Sequence, residues 1–244
     1  MAPFVLAVAA VCYMVHNYLD IPFFRQVLQK RGVPPGAALE IRAVLLQRSG
    51  GVVLLGMIPA LIVFSAVPRP AAYWGLSLNH VIGSVAIGIA GGLSILVPMY
   101  LFMGRSSGLL SYYPEMRILR RGTWTLSLVL VNTASWAIYL AAYELLFRGL
   151  LLFPLVESIS PWPAIAASSG YYLLAHARKH PIEASLVAPG GVMFAATAVV
   201  TGSLLGPWIA HTMVAAGSEL LAARGWGVWG TARTTTSVAA SGLR

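Results

Sequence analysis

Three groups of residues in the second half of the chain have types and spacings suited to hydrolysis. Glu144 and Arg148 are four residues apart and therefore share one helix face, and so do Tyr172 and His176. His211 stands alone in an otherwise apolar stretch. A carboxylate that faces an imidazole in a dry pocket activates water, because the carboxylate takes a proton while the imidazole orients the water. A second imidazole can donate to a developing oxyanion. The pattern predicts a site for water activation.

The same residue types can also bind zinc. However, the chain has no HExxH helix, and three ligands from three helices are a weaker zinc signature. Cys12 is the only cysteine, which excludes an intramolecular disulfide and any multi-cysteine metal site. We therefore expect no cofactor, and zinc remains the less favoured alternative.

The composition determines which kind of element positions these residues. Hydrophobic residues make up 58% of the 244 residues and charged residues only 9%, and the mean hydropathy is +0.79. A soluble domain carries about 25% charged residues, so an ordinary soluble globule is excluded, and so is intrinsic disorder. The alternating strands of a membrane barrel are absent. The prediction is an all-α, polytopic transmembrane helical bundle in a lipid bilayer.

Apolar stretches predict about seven spans, within a range of six to eight. They cover residues 3–18, 50–67, 81–103, 124–156, 163–177 and 184–222, the last divided into two near Gly202. The stretch 124–156 is too long for one perpendicular helix, so it either tilts strongly or breaks near residues 132–135. Residues 37–47 are predicted to form an interfacial amphipathic helix.

Basic residues alternate between rich and poor loops. The loop after the first span carries five, Arg48 among them, whereas the next loop has only Arg69 and the loop after that is rich again. The positive-inside rule then places the N-terminus outside and the C-terminus in the cytoplasm of a cell inner (plasma) membrane. The net charge of +9 reflects these loops, and we expect no nucleic-acid partner. Glu219 is predicted near the end of the last span, close to the interface.

Residues 1–224 are predicted to form one transmembrane domain, with the motifs in residues 111–218. Residues 225–244 are small and rich in Thr, Ser and Gly, which predicts a disordered cytoplasmic tail. Glu144 precedes Ser160 by as many residues as His176 follows it, so an antiparallel hairpin puts both at one depth. His211 comes soon after the turn near Gly202 and is expected at a shallower depth, unless that turn is sunk into the membrane.

These motifs resemble the CPBP family (CAAX protease and bacteriocin-processing), intramembrane proteases that include the type II CAAX prenyl endopeptidases. The family's first motif, Glu-Glu-x-x-x-Arg, is similar to the segment from Tyr143 to Arg148, and its Phe-x-x-x-His motif is similar to the segment from Tyr172 to His176. The third motif, a late histidine after a Thr-Gly-Ser-Leu turn, is matched by residues 201–211. Order and spacing agree over residues 111–218.

The resemblance implies a membrane endopeptidase that cuts a membrane-anchored or lipid-modified protein or peptide without an obligatory metal. Carried over residue by residue, it makes Glu144 the base and His176 its partner. His211 then supports the oxyanion, Arg148 fixes the glutamate, and Tyr143 and Tyr172 support the pocket.

Two positions depart from the family pattern. Tyr143 replaces the first glutamate, and Ala215 replaces the hydrogen-bonding residue four positions after the late histidine. A tyrosine before a single glutamate is similar to a variant among bacterial members. A catalytically silent relative that acts as a membrane binding or immunity protein is therefore the alternative. A transporter or channel subunit is disfavoured, because the ionisable residues cluster in one half of the chain.

Overall fold

The computed structural model describes residues 1–103, 107–117, 124–176 and 181–225, and these residues form helices and no strand. The predicted all-helical fold is therefore confirmed, while residues 226–244 of the predicted tail lie outside the described residues. The helices are α1 (Ala2–Tyr18), α2 (Ile21–Lys30), α3 (Ala37–Ala66), α4 (Val81–Phe102), α5 (Ser107–Tyr112), α6 (Leu126–Ile159), α7 (Pro161–Ala175), α8 (Pro181–Thr201) and α9 (Leu205–Gly225).

Three of the described helices, α3, α4 and α6, are long and apolar enough to cross a membrane. The pair α1 and α2, bent by 51°, makes a fourth if it is counted as one span. These helices fit a protein embedded in a bilayer. The count of seven spans, the type of membrane and the orientation of the termini stay predictions.

Helix α3 differs from its prediction, because it runs without interruption from Ala37 to Ala66 through a π-helical segment at Val52–Met57. The segment predicted as a separate interfacial helix is the first part of this long helix. Leu39 and Val44 are buried. The charge of Arg48 suggested that this residue lies in a loop, but its side chain is only 2% exposed and points into the bundle. The charge of Arg48 is therefore stabilised by partners inside the bundle and not by solvent.

Helix α6 contains the first motif and continues for 34 residues. It does not break at residues 132–135, because the side chains of Asn132 and Ser135 both accept hydrogen bonds from Arg48 on α3. Its irregular part lies further on, where Leu145–Leu152 form a π-helical segment directly after Glu144. Such segments occur frequently at functional sites, since they change the direction of side chains along a helix.

Small residues allow α4 and α9 to pack closely. A Cβ atom added to Gly88 would lie 2.7 Å from the carbonyl oxygen of Gly206, and one added to Gly92 would lie 2.9 Å from the sulfur of Met213. Contacts that advance together along both helices show that α4 and α9 run parallel. Close approach of backbones through small residues is typical of helix pairs in membranes, and it sets the position of α9.

The turn before α9 is buried against the loop that follows α3. Gly202 has a φ of 61°, which glycine adopts without strain. The amide of Leu204 donates to the carbonyl oxygen of Gly75 at 2.9 Å, and the Ser203 hydroxyl donates to the carbonyl oxygen of Ser77 at 2.9 Å. Because Ser203 and Leu204 are buried and held by this loop, the start of α9 is fixed where His211 reaches Glu144 of α6.

Candidate active site

Glu144 is a fully buried carboxylate at the end of the α-helical part of α6. Its Oε1 lies 2.6 Å from Nδ1 of His211, and its Oε2 lies 3.3 Å from Nε of Arg148. A buried charge needs partners of opposite charge or hydrogen bonds. The imidazole and the guanidinium supply both, so the carboxylate is held between them. The structure thus brings the first and third motifs into direct contact.

Arg148 is also fully buried and faces aromatic rings as well as the carboxylate. Its Cζ lies 4.5 Å from the ring centroid of Tyr172, 5.8 Å from that of Phe147 and 5.5 Å from that of Phe194. The negative faces of aromatic rings attract a cation, most strongly where water is excluded. Arg148 is therefore a buried countercharge beside Glu144.

Tyr172 connects the two histidines. Its carbonyl oxygen accepts a hydrogen bond from Nδ1 of His176 at 2.9 Å, and its hydroxyl lies 3.4 Å from Nε2 of His211. Since a neutral imidazole has one donor and one acceptor nitrogen, Nε2 is the acceptor in His176. The contact between Nδ1 of His211 and Glu144 makes Nε2 the acceptor in His211 as well.

A cavity of about 320 Å³ lies on one side of these residues. Its wall includes both histidines and Tyr143 and Tyr172, whereas Glu144 and Arg148 are not among the lining residues. The carboxylate is consequently placed to act on an imidazole, and the imidazoles are placed to act on a molecule in the cavity. Ala215 also lines the wall and offers no hydrogen-bond donor from its side chain.

Tyr143 occupies the position where the resemblance expects the first glutamate. Its ring stacks on Phe147 with centroids 4.5 Å apart and lies 5.6 Å from the ring of His211 and 6.2 Å from that of His176. Within the described part of the chain its hydroxyl makes no hydrogen bond, and the residue lines the cavity. A phenol donor thus stands where the family has a carboxylate.

Helix α1 contributes to the same cavity, which the sequence did not indicate. The Tyr13 hydroxyl donates to the carbonyl oxygen of Ala175 at 2.6 Å, directly before His176. His16 lies on the same helix, with its Nε2 3.2 Å from the Tyr139 hydroxyl. In the sequence, His16 is only a polar side chain in an apolar stretch, and this pattern does not identify the residue that it contacts.

A second polar cluster lies beside the cavity and surrounds Arg48. Its guanidinium lies 2.8 Å from Oε2 of Glu115 and 3.5 Å from Oε1 of Glu219, and its Cζ lies 4.0 Å from the centroid of Trp136. Glu219 is fully buried, so its predicted position near the interface is wrong: its charge faces Arg48 inside the bundle. Glu115 and Trp136 also line the cavity.

The described residues contain no group of three or more His, Cys, Asp or Glu side chains placed to hold a metal ion. Among the described residues, Glu144 is hydrogen-bonded to His211 and not to His176, and Arg148 lies on the other side of its carboxylate. A cation beside Glu144 would therefore face a guanidinium that is already in place.

Residues 122–217 match the family model described as "Type II CAAX prenyl endopeptidase Rce1-like". The matched segment contains every candidate residue of all three motifs, and it covers about two fifths of the chain. No curated protein and no solved structure matches the chain.

Proposed function

We propose that this chain, of which residues 122–217 match the type II CAAX prenyl endopeptidase family, hydrolyses a peptide bond of a membrane-anchored or lipid-modified protein or peptide. The observation that carries the proposal is the 2.6 Å contact between Glu144 and His211 at the wall of a cavity that also contains His176. A carboxylate–imidazole pair that faces a cavity is suited to activating water.

Glu144 acts through His211 in this proposal. Because the carboxylate lies behind the cavity wall, it selects the tautomer of the imidazole and stabilises the imidazolium that forms during the reaction. The sequence assigned the role of base to Glu144 with His176 as its partner. The contact favours His211 as the group that takes the proton, with Glu144 and Arg148 behind it.

The reaction then follows from the remaining groups on the wall. Nε2 of His211 removes a proton from water while the water oxygen bonds to the carbonyl carbon of the peptide. Nε2 of His176 accepts the other hydrogen of this water and so orients it, and the hydroxyl of Tyr143 donates to the oxyanion. The imidazolium returns the proton to the amine nitrogen as the C–N bond breaks, which leaves a carboxylic acid and an amine.

Two observations favour a catalytically silent relative as the second candidate. Tyr143 and Ala215 line the cavity at positions where the family pattern has groups that act in catalysis. The protein would then bind a membrane partner without cutting it. Against this stands the buried set of Glu144, Arg148 and two histidines, because ionisable groups in a membrane protein are costly to retain without a role.

The test is a cleavage assay on the full chain in liposomes with membrane-anchored peptides as substrates. His211→Asn and His176→Asn should each lower kcat by about 100-fold or more, the usual contribution of a general acid or base. His80→Asn is the matched control, because His80 is exposed, does not line the cavity and has a φ of 57°, which asparagine tolerates. A chelator should leave the wild-type rate unchanged.

The outcomes separate the two candidates. Wild-type rates in both cavity variants would overturn the proposed mechanism, and a rate abolished by the chelator would assign the reaction to a metal. The second candidate, a binding protein, is correct if the wild type cuts none of the peptides and His211→Asn still restores the phenotype of cells that lack the protein.

A further inference from the structure

A surface groove follows the contact between the ends of α4 and α9, and it is separate from the cavity that Ile95, Met99 and Ser218 of the same helices line. It has a volume of about 430 Å³ and is lined by Leu96 and Val97 on one side and Leu220 and Leu221 on the other. The two helices approach most closely at Gly217, where an added Cβ would lie 2.4 Å from Leu96. Because α4 is long and apolar enough to cross a membrane, an acyl chain of the bilayer is the apolar molecule that we expect at the groove.

One end of this groove carries a cation. Arg224 is exposed, its Nη1 donates to the hydroxyl of Tyr100 at 2.6 Å, and its Cζ lies 4.9 Å from the Tyr100 ring. Since the tyrosine oxygen accepts from Arg224, its own proton remains for a further acceptor. Both residues line the groove, so two donors converge at the end of an apolar surface.

Arg224 differs from the buried arginines that the structure describes, whereas the exposed Arg31 and Arg42 also have no carboxylate partner among the described residues. Arg48 and Arg148 each face a carboxylate, and on the bundle's outer parts Arg25 pairs with Glu40. In the described part of the chain, Arg224 has no carboxylate within ion-pair distance. Its charge is therefore available to an anion from outside the protein.

We propose that this groove binds an acidic phospholipid, with an acyl chain along the leucines and the phosphate on Arg224 and Tyr100. A peptide is a poor occupant, because the apolar lining would leave the peptide's backbone N–H and C=O groups without partners. A zwitterionic lipid such as phosphatidylcholine brings an ammonium group close to Arg224, whereas an acidic lipid such as phosphatidylglycerol does not. The site is independent of proteolysis, and its failure would leave the proposed reaction untouched.

The experiment measures lipid binding to the full chain by native mass spectrometry, after delipidation in a neutral detergent. Phosphatidylglycerol and phosphatidylcholine with identical acyl chains are titrated separately. We expect one phosphatidylglycerol to bind about tenfold more tightly than phosphatidylcholine, because both lipids carry the phosphate but choline adds a positive charge close to Arg224. Arg224→Gln should remove this preference, and Tyr100→Phe should reduce it. Arg42→Gln is the control, because Arg42 is also exposed but does not line the groove.

A third variant tests the apolar part of the site. Leu221→Trp fills the groove and keeps the cation, so it should weaken the binding of both lipids. Equal binding of the two lipids by the wild type, or an unchanged preference in Arg224→Gln, would overturn the proposal. Displacement of the bound lipid by an equal concentration of glycerol phosphate would also overturn it, since only the headgroup would then be recognised.

Discussion

The buried pair of Glu144 and Arg148 predicts how much stability is lost when one of the two charges is removed. Both side chains are fully buried, with Oε2 and Nε 3.3 Å apart. Glu144→Gln removes the negative charge and leaves the guanidinium without a countercharge. Breaking a buried ion pair from one side typically costs about 3–5 kcal/mol. The three aromatic rings around Arg148 offset part of this cost, so we expect a loss of about 3 kcal/mol.

The matched variant removes both charges together. In Glu144→Gln with Arg148→Met, no uncompensated charge remains, and the methionine retains much of the apolar volume of the arginine stem. Replacing both partners of a buried pair by uncharged groups is often close to neutral. The double variant should therefore be more stable than Glu144→Gln alone, although it carries one more substitution.

Thermal unfolding in detergent, followed by tryptophan fluorescence at one scan rate, measures the difference. A loss of about 3 kcal/mol corresponds to a Tm lowered by about 6–12 °C in a chain of this size. If Glu144→Gln unfolds at the wild-type temperature, or if adding Arg148→Met lowers Tm further, the two groups are not a coupled buried pair. The result also decides whether lost cleavage in Glu144→Gln reports chemistry or unfolding.

Two further predictions concern packing around the site. Tyr13→Phe removes the hydrogen bond to the carbonyl of Ala175 and should cost about 1 kcal/mol. The hydroxyl of Tyr171 makes no hydrogen bond in the described residues, so the control Tyr171→Phe should leave Tm unchanged. Equal shifts of Tm in both variants would contradict the role of Tyr13. Gly88→Ala should lower stability by about 1–3 kcal/mol, because its Cβ would meet the backbone of α9. Gly83→Ala, on the same helix with nothing within 4 Å, should raise stability slightly, and a destabilised Gly83→Ala would show that helix propensity does not govern this position.

Composition was sufficient for the helical class, and spacing was sufficient to show which candidate residues share a helix face. Few charges and many apolar residues exclude other folds, and spacings of four place Glu144 with Arg148 and Tyr172 with His176 on common helix faces. These are local properties of a helix, so they survive whatever the helices pack against. The ion pair of Glu144 and Arg148 follows from this spacing, whereas the contact of Glu144 with His211, in place of the predicted partner His176, does not.

The depth of His211 could not be predicted, because it depends on a turn that packs under a distant loop. Counting residues from Gly202 assumes that the turn lies at the membrane surface, whereas Leu204 is held by the carbonyl of Gly75. This buried turn, together with the small residues between α4 and α9, decides that Glu144 contacts His211.

The burial of Arg48 shows the same limit in a different element. Its charge, read along the sequence, indicated a loop, yet it is stabilised by Glu115 and Glu219, which lie far away in the chain. Whether a charge lies in water or inside a bundle depends on partners that only long-range packing supplies. The sequence by itself thus determined the helical class and which motif residues share a helix face, and the tertiary structure decided which of the charges pair.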